Sequence, residues 1–168
     1  MGDGLFDNTK KLTKIIVSPK NPRYCCIDEN FIYGKSNIEQ LNYDILIFCV
    51  RNIESITNPS FVKKICSSAF SDCTNLHQVE IPINSELQTI ENDAFINTQI
   101  KYIRIPSQVT KIGEKAFYCC CKQLQTIEIP NDSKLETNQE NAFSYCSIES
   151  INIPSHLIHL GNCWCIEI

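Results

Sequence analysis

The stretch that decides the fold is LQTIEIP, which occupies residues Leu124–Pro130. Three other segments have the same form: LHQVEIP at 76–82, IKYIRIP at 100–106 and IESINIP at 148–154. Their closing prolines follow one another at a constant interval of 24 residues. A fixed period of about 20 to 50 residues is typical of solenoids and other repeat arrays, so the sequence predicts stacked copies of one small unit.

Each unit carries the signals of a short strand followed by a turn. In LQTIEIP, Ile127 and Ile129 alternate with Glu128, the period of two that places one face of a strand inward. Pro130 lacks an N–H group and ends the strand. A second apolar pair follows in each unit; the pairs are Val109 and Ile112, Phe61 and Ile65, Leu87 and Ile90, and Leu157 and Leu160.

The far side of each unit ends in an Ala-Phe pair, as in CSSAF, ENDAF, GEKAF and QENAF. Segments of this length predict a single 3₁₀ or α turn. The phenylalanines are predicted to point inward and fill the space between the two walls; they are Phe70, Phe95, Phe117 and Phe143. Because no unit can cover its apolar face alone, neighbouring units must stack.

The spacing of the strand pattern divides the chain into three parts. Residues 1–11 form a polar N-terminal tail, and residues 12–52 form a divergent first repeat in which 20–52 is an insertion with one or two extra strands. Residues 53–168 form the regular solenoid, with an irregular C-terminal end where NCWCIEI replaces the Ala-Phe pair. The six candidate strands begin at Leu12, Ile53, Leu76, Ile100, Leu124 and Ile148.

Composition excludes several classes of function. The chain has a net charge of −4 and dispersed basic residues, so it lacks the basic stripe that a nucleic-acid partner requires. No apolar run of about 18 residues predicts a membrane span, and the first residues lack the apolar core of a signal peptide. Only 5 glycines are present, and no glycine-rich phosphate loop is among them.

The 11 cysteines are unusual for a chain without an export signal. Cys73, Cys120 and Cys146 each lie three residues after an Ala-Phe pair, where the second repeat has Thr98. A position that recurs with the repeat is set by packing, which favours buried thiols acting as small apolar groups. A disulfide or metal role is the alternative, and the adjacent cysteines at 119 and 121 could oxidise if exposed.

The strings IPSQVTKIGEKAFYCC and LQTIEIP resemble the BspA-like leucine-rich repeats, also called the Treponema pallidum type. The resemblance covers residues 53–160 with four Ala-Phe motifs. It implies an α/β solenoid, a right-handed curved leucine-rich-repeat array with a parallel β-sheet on one face and short 3₁₀ or α turns on the other. Members of that family look like surface or secreted adhesion proteins, which implies a non-catalytic binding role toward a protein, glycan or host-surface matrix ligand.

The outward positions of the predicted strands form the candidate binding surface. Tyr102 and Arg104 stand at its centre, because these residue types are favoured at interface hot spots. The whole candidate site is His77, Glu80, Lys101, Tyr102, Arg104 and Glu128. The alternative for Glu80, Arg104 and Glu128 is a self-paired ladder of alternating charge that stabilises strand register.

Two other functions compete with surface adhesion. An intracellular leucine-rich-repeat scaffold would use the same face. A missing signal peptide and free thiols favour this hypothesis, so the sequence leaves the location of the protein open. A thiol- or zinc-dependent activity would use the C-terminal residues His156, His159, Cys163 and Cys165. That zinc reading is weaker, because both histidines align with solvent-facing slots and the cysteine spacing is not that of common zinc sites. No catalytic group, metal site or cofactor is predicted.

Overall fold

The computed structural model describes Thr9 and residues 11–119, 123–135 and 137–157, with the backbone alone at 137 and 138. These residues form twelve short strands. They are β1 (Tyr24–Ile27), β2 (Phe31–Gly34), β3 (Ile45–Cys49), β4 (Ser55–Thr57), β5 (Lys64–Ile65), β6 (Gln78–Glu80), β7 (Thr89–Ile90), β8 (Tyr102–Arg104), β9 (Lys111–Ile112), β10 (Thr126–Glu128), β11 (Thr137–Asn138) and β12 (Ser150–Ile151).

The repeated Ile-x-Ile segments form the front ladder of the solenoid. Strands β4 and β6 pair in parallel, and β8, β10 and β12 form a second parallel group. The register is that of stacked copies: Ile127 lies opposite Ile103 on one side and Ile151 on the other. The prediction of stacked units with a parallel sheet on one face is therefore confirmed.

The second apolar pair of each repeat forms another parallel ladder, which the sequence pattern alone does not identify as strand. Strands β5, β7, β9 and β11 pair in that order, with Ile90 between Ile65 and Ile112. In the first of these repeats the buried residue before the strand is Val62, at 0% exposure. The expectation that Phe61 fills this slot is wrong, because its side chain is 37% exposed beside Tyr33.

The predicted insertion holds three strands rather than one or two. Strands β1, β2 and β3 form an antiparallel meander. Strand β3 then pairs in parallel with β5, with Leu46 opposite Ile65. Tyr33, Leu46 and Phe48 are buried against the repeats. The meander therefore covers the N-terminal end of the second ladder and continues its hydrogen bonding.

The first candidate strand, which begins at Leu12, is not a strand in this structure. Ile15 is buried as the alternation predicts, and Ile16 is exposed. However, the Ile15 N–H group donates to the carbonyl of Glu29 at 2.8 Å, and the Ile15 carbonyl accepts from the Cys26 thiol. Because the β1–β2 hairpin takes these groups, the segment does not extend the front ladder.

The Ala-Phe segments form hydrogen-bonded turns, and the described residues contain no helix, so the expected 3₁₀ or α turns are not found. The first three turns are each joined to the next repeat: Phe70 N–H donates to the carbonyl of Ala94 at 2.8 Å, Phe95 N–H to that of Ala116 at 2.7 Å, and Phe117 N–H to that of Ala142 at 2.8 Å. Two residues in each turn have a left-handed backbone; they are Ser68, Asp72, Asp93, Asn97, Lys115, Cys119, Asn141 and Tyr145.

This left-handed backbone costs about 1–2 kcal/mol for a residue other than glycine. The structure shows what offsets it. Asp72 N–H donates to the carbonyl of Ile96 at 2.9 Å, and Asp93 N–H donates to that of Glu114 at 3.0 Å. The turn conformation thus directs N–H groups along the axis of the stack, where they bind the following repeat instead of their own.

The four phenylalanines form the interior, as predicted. Phe70, Phe95, Phe117 and Phe143 are at most 1% exposed, and successive ring centroids are 4.9, 5.1 and 5.0 Å apart with nearly parallel planes. The alanines beside them are fully buried. Burial of each ring contributes about 2 kcal/mol, and ring pairs add about 0.5–1.5 kcal/mol.

The recurring thiol slot is also filled by packing where it is described. Cys73 and Thr98 are 0% exposed, and Cys146 is half-buried with its thiol donating to the carbonyl of Phe117 at 3.2 Å. Cys120 and Cys121 lie outside the described residues, as do Leu160 and the C-terminal end with Trp164.

Truncation of a central ring tests the stacked interior. Phe117→Ala removes a buried side chain with a ring on each side, so the free energy of unfolding should fall by about 3–5 kcal/mol. Urea unfolding measures the change. Tyr118→Ala, which removes a half-exposed ring from the same turn, is the control and should cost far less; equal losses for the two variants would contradict the assignment.

One repeat carries a polar side chain where the others bury isoleucine, and its replacement should stabilise the chain. Asn58 is 2% exposed in the slot of Ile81, Ile105 and Ile129, and its Oδ1 has no hydrogen-bond partner. Asn58→Val removes this unmet acceptor and should raise the free energy of unfolding by about 1–2 kcal/mol. Asn152→Val is the control, because Asn152 is exposed and its Nδ2 donates to the carbonyl of Ile129 at 2.9 Å. A lower midpoint for Asn58→Val than for wild type would show that the amide is needed.

Candidate functional site

The front ladder is interrupted between β6 and β8. These strands are neighbours, with Cα atoms within 8 Å of each other. Yet among the residues that the structure describes, no backbone hydrogen bond joins them, whereas β4 pairs with β6 and β8 pairs with β10. The interruption leaves two strand edges facing each other in the middle of the front sheet.

On the β6 side, the register identifies which backbone groups are unpaired. The Glu80 carbonyl accepts from Asn58 N–H at 2.8 Å, so the groups of Glu80 point toward β4. Successive residues of a strand direct their hydrogen-bonding groups to opposite sides. The N–H and C=O groups of Val79, and the N–H group of Ile81, therefore point toward β8.

The β8 side follows the same argument. Ile105 N–H donates to the carbonyl of Glu128 at 2.9 Å, so the groups of odd-numbered residues here point toward β10. The N–H and C=O groups of Tyr102 and Arg104 then point toward β6. In the next junction of the ladder the equivalent groups are paired.

A groove of about 350 Å³ lies over this interruption. We call it the front groove; it is lined by residues 77–83 and by Lys101, Tyr102 and Arg104. The structure thus brings together five of the six residues singled out from the sequence, namely His77, Glu80, Lys101, Tyr102 and Arg104. The sixth, Glu128, lies beside them on β10.

Sequence reasoning missed the apolar part of the groove. Ile83 is 82% exposed in the turn after β6, next to Pro82. A signal for it exists: the buried Leu87 lies five positions after Pro82, whereas Val109 lies three positions after Pro106. The longer turn carries Ile83 out of the stack and onto the surface.

Glu128 organises the polar wall of the groove. One carboxylate oxygen accepts from the Tyr102 hydroxyl at 2.5 Å, and the other accepts from Arg104 Nε at 2.9 Å. The hydrogen bonds from Tyr102 and Arg104 lower the pKa of Glu128 below its usual value. Burial, followed by the hydrogen bond to the Glu128 carboxylate, raises the pKa of Tyr102.

The alternating-charge ladder forms in only one of its two steps. Arg104 pairs with Glu128, but Glu80 accepts from the Thr57 hydroxyl at 3.3 Å and makes no ion pair with Arg104. The predicted self-paired ladder is therefore observed between β8 and β10, and among the described residues no ion pair continues it to Glu80 on β6.

Arg104 is left with an unmet donor. Its Nη1 atom is buried and has no hydrogen-bond acceptor, although the side chain as a whole is 24% exposed. A buried donor without a partner costs about 1–3 kcal/mol, and more when the group is charged. Lys101, exposed on the same wall, has no ion-pair partner among the described residues.

Two other candidate sites receive less support. Within the described ranges, no group of three or more His, Cys, Asp or Glu side chains could hold a metal ion. His156 lies in an exposed turn, while His159, Cys163 and Cys165 are outside the described residues. The triple-cysteine run is described only at Cys119, which is half-buried.

A second buried polar cluster stands behind the N-terminal meander. Arg51 is 9% exposed, donates to the carbonyl of Ala69 at 3.1 Å, and lies over the ring of Phe48 at 4.5 Å. The thiols of Cys49 and Cys73 lie beside it, and burial raises the pKa of Cys49. These groups join the meander to the first Ala-Phe turn, which is a structural role.

The stacked parallel ladders and the ring column define the class of the protein as a leucine-rich-repeat solenoid. The model of the BspA type leucine rich repeat region matches residues 44–164 in six copies. The chain belongs to this family, as the resemblance implies. No curated protein matches the chain.

Solved structures agree on the fold. The pneumococcal vaccine antigen PcpA is 18% identical with a TM-score of 0.67, over 91% of this chain and 49% of that one. A leucine-rich repeat protein from Eubacterium ventriosum is 24% identical with a TM-score of 0.70, over 91% and 45% respectively. The chain thus spans about half the length of these relatives. Within the described ranges, the structure contains no helix with the length and apolarity that a bilayer crossing requires.

The paired titration of Glu128 and Tyr102 can be checked directly. Glu128→Gln removes the carboxylate charge, so the pKa of Tyr102 should fall toward its ordinary value in a tyrosine-resolved NMR titration. Glu80→Gln, which leaves that hydrogen bond in place, is the control. An unchanged Tyr102 pKa in Glu128→Gln would show that the hydrogen bond is absent in solution.

The hydrogen bonds of Glu128 also make the stability of the chain depend on pH. Because the folded-state pKa of Glu128 is lowered, its contribution is present above the unfolded-state pKa and is lost as pH falls through the folded-state value. Wild type should therefore lose slightly more stability than Glu128→Gln in acid-range urea unfolding.

Proposed function

We propose that this chain is a non-catalytic binding module that recognises a protein partner through the front groove. The observation that carries the proposal is the interrupted ladder, which exposes strand edges of β6 and β8 beside Tyr102 and Arg104. In a regular solenoid these backbone groups are paired, so here they are available to a polar side chain of a partner.

The side chains of the groove support a protein partner over a small metabolite. Tyr102 is 45% exposed and Ile83 is 82% exposed, which places an aromatic and an aliphatic contact on either side of the groove. Tyrosine and arginine are enriched among residues that dominate protein interfaces. Leucine-rich repeats generally bind proteins, and this family membership is the second support.

An adhesion or surface-antigen role is the finer form of the proposal. It draws on a single likeness, since PcpA is described as a vaccine antigen. At 18% identity this likeness supports the fold, and the role of that protein is transferred here only as part of the proposal. The front groove would then be the part of the chain that contacts the foreign surface.

Selection of phage-displayed random peptides on the immobilised chain tests the groove. Tyr102→Ala and Arg104→Ala should each weaken the selected peptides by about tenfold or more, the loss expected for a hot-spot side chain. Tyr145→Ala and Arg23→Ala are matched controls, because both residues are exposed and neither lines the groove.

Peptides that bind all four variants as tightly as wild type would contradict the groove as the binding surface. Thermal melting of each variant separates loss of binding from loss of folding. Because Tyr102 and Arg104 are partly exposed, neither substitution should unfold the chain.

A further inference from the structure

We propose that the front groove captures a carboxylate, carried by an acidic side chain of the protein partner, on Arg104 and Lys101. This inference rests on the proposed function and adds the chemistry of the partner. It begins from the unmet hydrogen-bonding capacity of Arg104. A guanidinium group has five N–H donors, and here Nε donates to Glu128 while the buried Nη1 has no acceptor.

The chain's own carboxylates do not meet this demand. Glu128 uses one oxygen for Arg104 Nε and the other for the Tyr102 hydroxyl, so it does not form the two-bond pairing that arginine and carboxylate prefer. Glu80 accepts from the Thr57 hydroxyl on the paired strand β4, on the side away from Arg104. A carboxylate supplied by a partner would accept from the guanidinium donors that Glu128 leaves unused.

Lys101 adds a second positive charge on the same wall. Its side chain is exposed and makes no ion pair among the described residues. Lys63 and Lys64 each contact a glutamate, whereas Lys111 in β9 resembles Lys101 in making no ion pair within the described ranges. The unpaired charge of Lys101, beside a guanidinium group that uses only part of its donors, attracts an anion. The remaining acidic lining residue, Glu80, lies on the opposite wall.

The backbone supplies further donors. The N–H groups of Arg104 on β8 and Val79 on β6 both point into the gap between the strands, where neither has a hydrogen-bond partner among the residues that the structure describes. A carboxylate has two oxygens that accept hydrogen bonds, so it can use backbone and guanidinium donors together.

The size of the groove restricts the occupant to a side chain. The strands lie within 8 Å of each other, less than the roughly 9.6 Å that an inserted strand would need between two neighbours. A volume of about 350 Å³ is at the small end of the range for binding sites, which suits side chains and not a whole segment of a partner. The exposed Ile83 beside it suits an apolar residue next to the acidic one.

The direct test uses a blocked pentapeptide, acetyl-Gly-Glu-Glu-Leu-Gly-amide, and its Gln-Gln counterpart, titrated into the whole chain and followed by NMR. The acidic peptide should bind at least tenfold more tightly than the Gln-Gln peptide, and added salt should weaken it. Arg104→Gln should remove this preference, and Lys101→Gln should reduce it severalfold. Lys134→Gln, a lysine away from the groove, should leave it unchanged.

Two further arms sharpen the outcome. Glu80→Gln removes the one negative charge in the lining, so the acidic peptide should bind more tightly to it than to wild type. A sialylated trisaccharide carries the same carboxylate chemistry from a glycan. Binding of this sugar without the acidic peptide would overturn the assignment to a protein side chain.

Failure of this inference is distinct from failure of the proposed function. Selected peptides that depend on Tyr102 and Arg104 but contain no acidic residue would overturn the carboxylate while leaving the groove intact. Equal binding of the Glu-Glu and Gln-Gln peptides would overturn it as well. If Arg104→Gln does not fold, Arg104→Lys replaces it in the test. This variant keeps the positive charge but lacks the paired guanidinium donors, so it must still lower the preference for the acidic peptide.

Discussion

The repeats of this chain stack on one another at the spacing of paired strands, and this spacing sets the distance between all equivalent groups. That spacing is about 4.8 Å, and the ring centroids of the phenylalanine column are 4.9–5.1 Å apart. The backbone of the front ladder, the second ladder and the turns must all advance by the same step. A side chain that fits one repeat therefore fits the next, which explains the shared interior.

The functional argument depends on the one place where this regularity is broken. Between β6 and β8 the strands remain neighbours but do not pair. A solenoid normally satisfies its interior strand edges with its own copies, so an unpaired junction is costly unless something else meets the exposed groups. The unmet Nη1 of Arg104 lies at this same junction. These two features together give the front groove a chemical preference that a uniform sheet surface lacks.

Much of the architecture could be predicted from the sequence because the repeat itself encodes it. The proline spacing and the Ala-Phe pairs are sufficient to place the front strands and the buried rings. The second ladder could not be recognised, since two-residue strands such as Lys111–Ile112 have no alternation to read. The N-terminal segment was harder still: Leu12 and Ile15 match the strand template, yet the hairpin around Glu29 takes the hydrogen bonds of Ile15.

The groove could be predicted only in part for a related reason. The alternation of apolar and polar residues along each strand predicts which side chains face outward. It therefore identifies His77, Tyr102 and Arg104 as surface residues. The interruption of pairing depends on how two backbones lie relative to each other. The amino-acid sequence of either strand alone therefore does not indicate it.

Amide hydrogen exchange in the free chain tests the central claim most directly. If the ladder is interrupted, the N–H groups of Tyr102 and Arg104 have no acceptor and should exchange much faster than those of Ile103 and Ile105, which face β10. Equal protection of all four amides would show that β6 and β8 are paired in solution, and the front groove would then lose its basis.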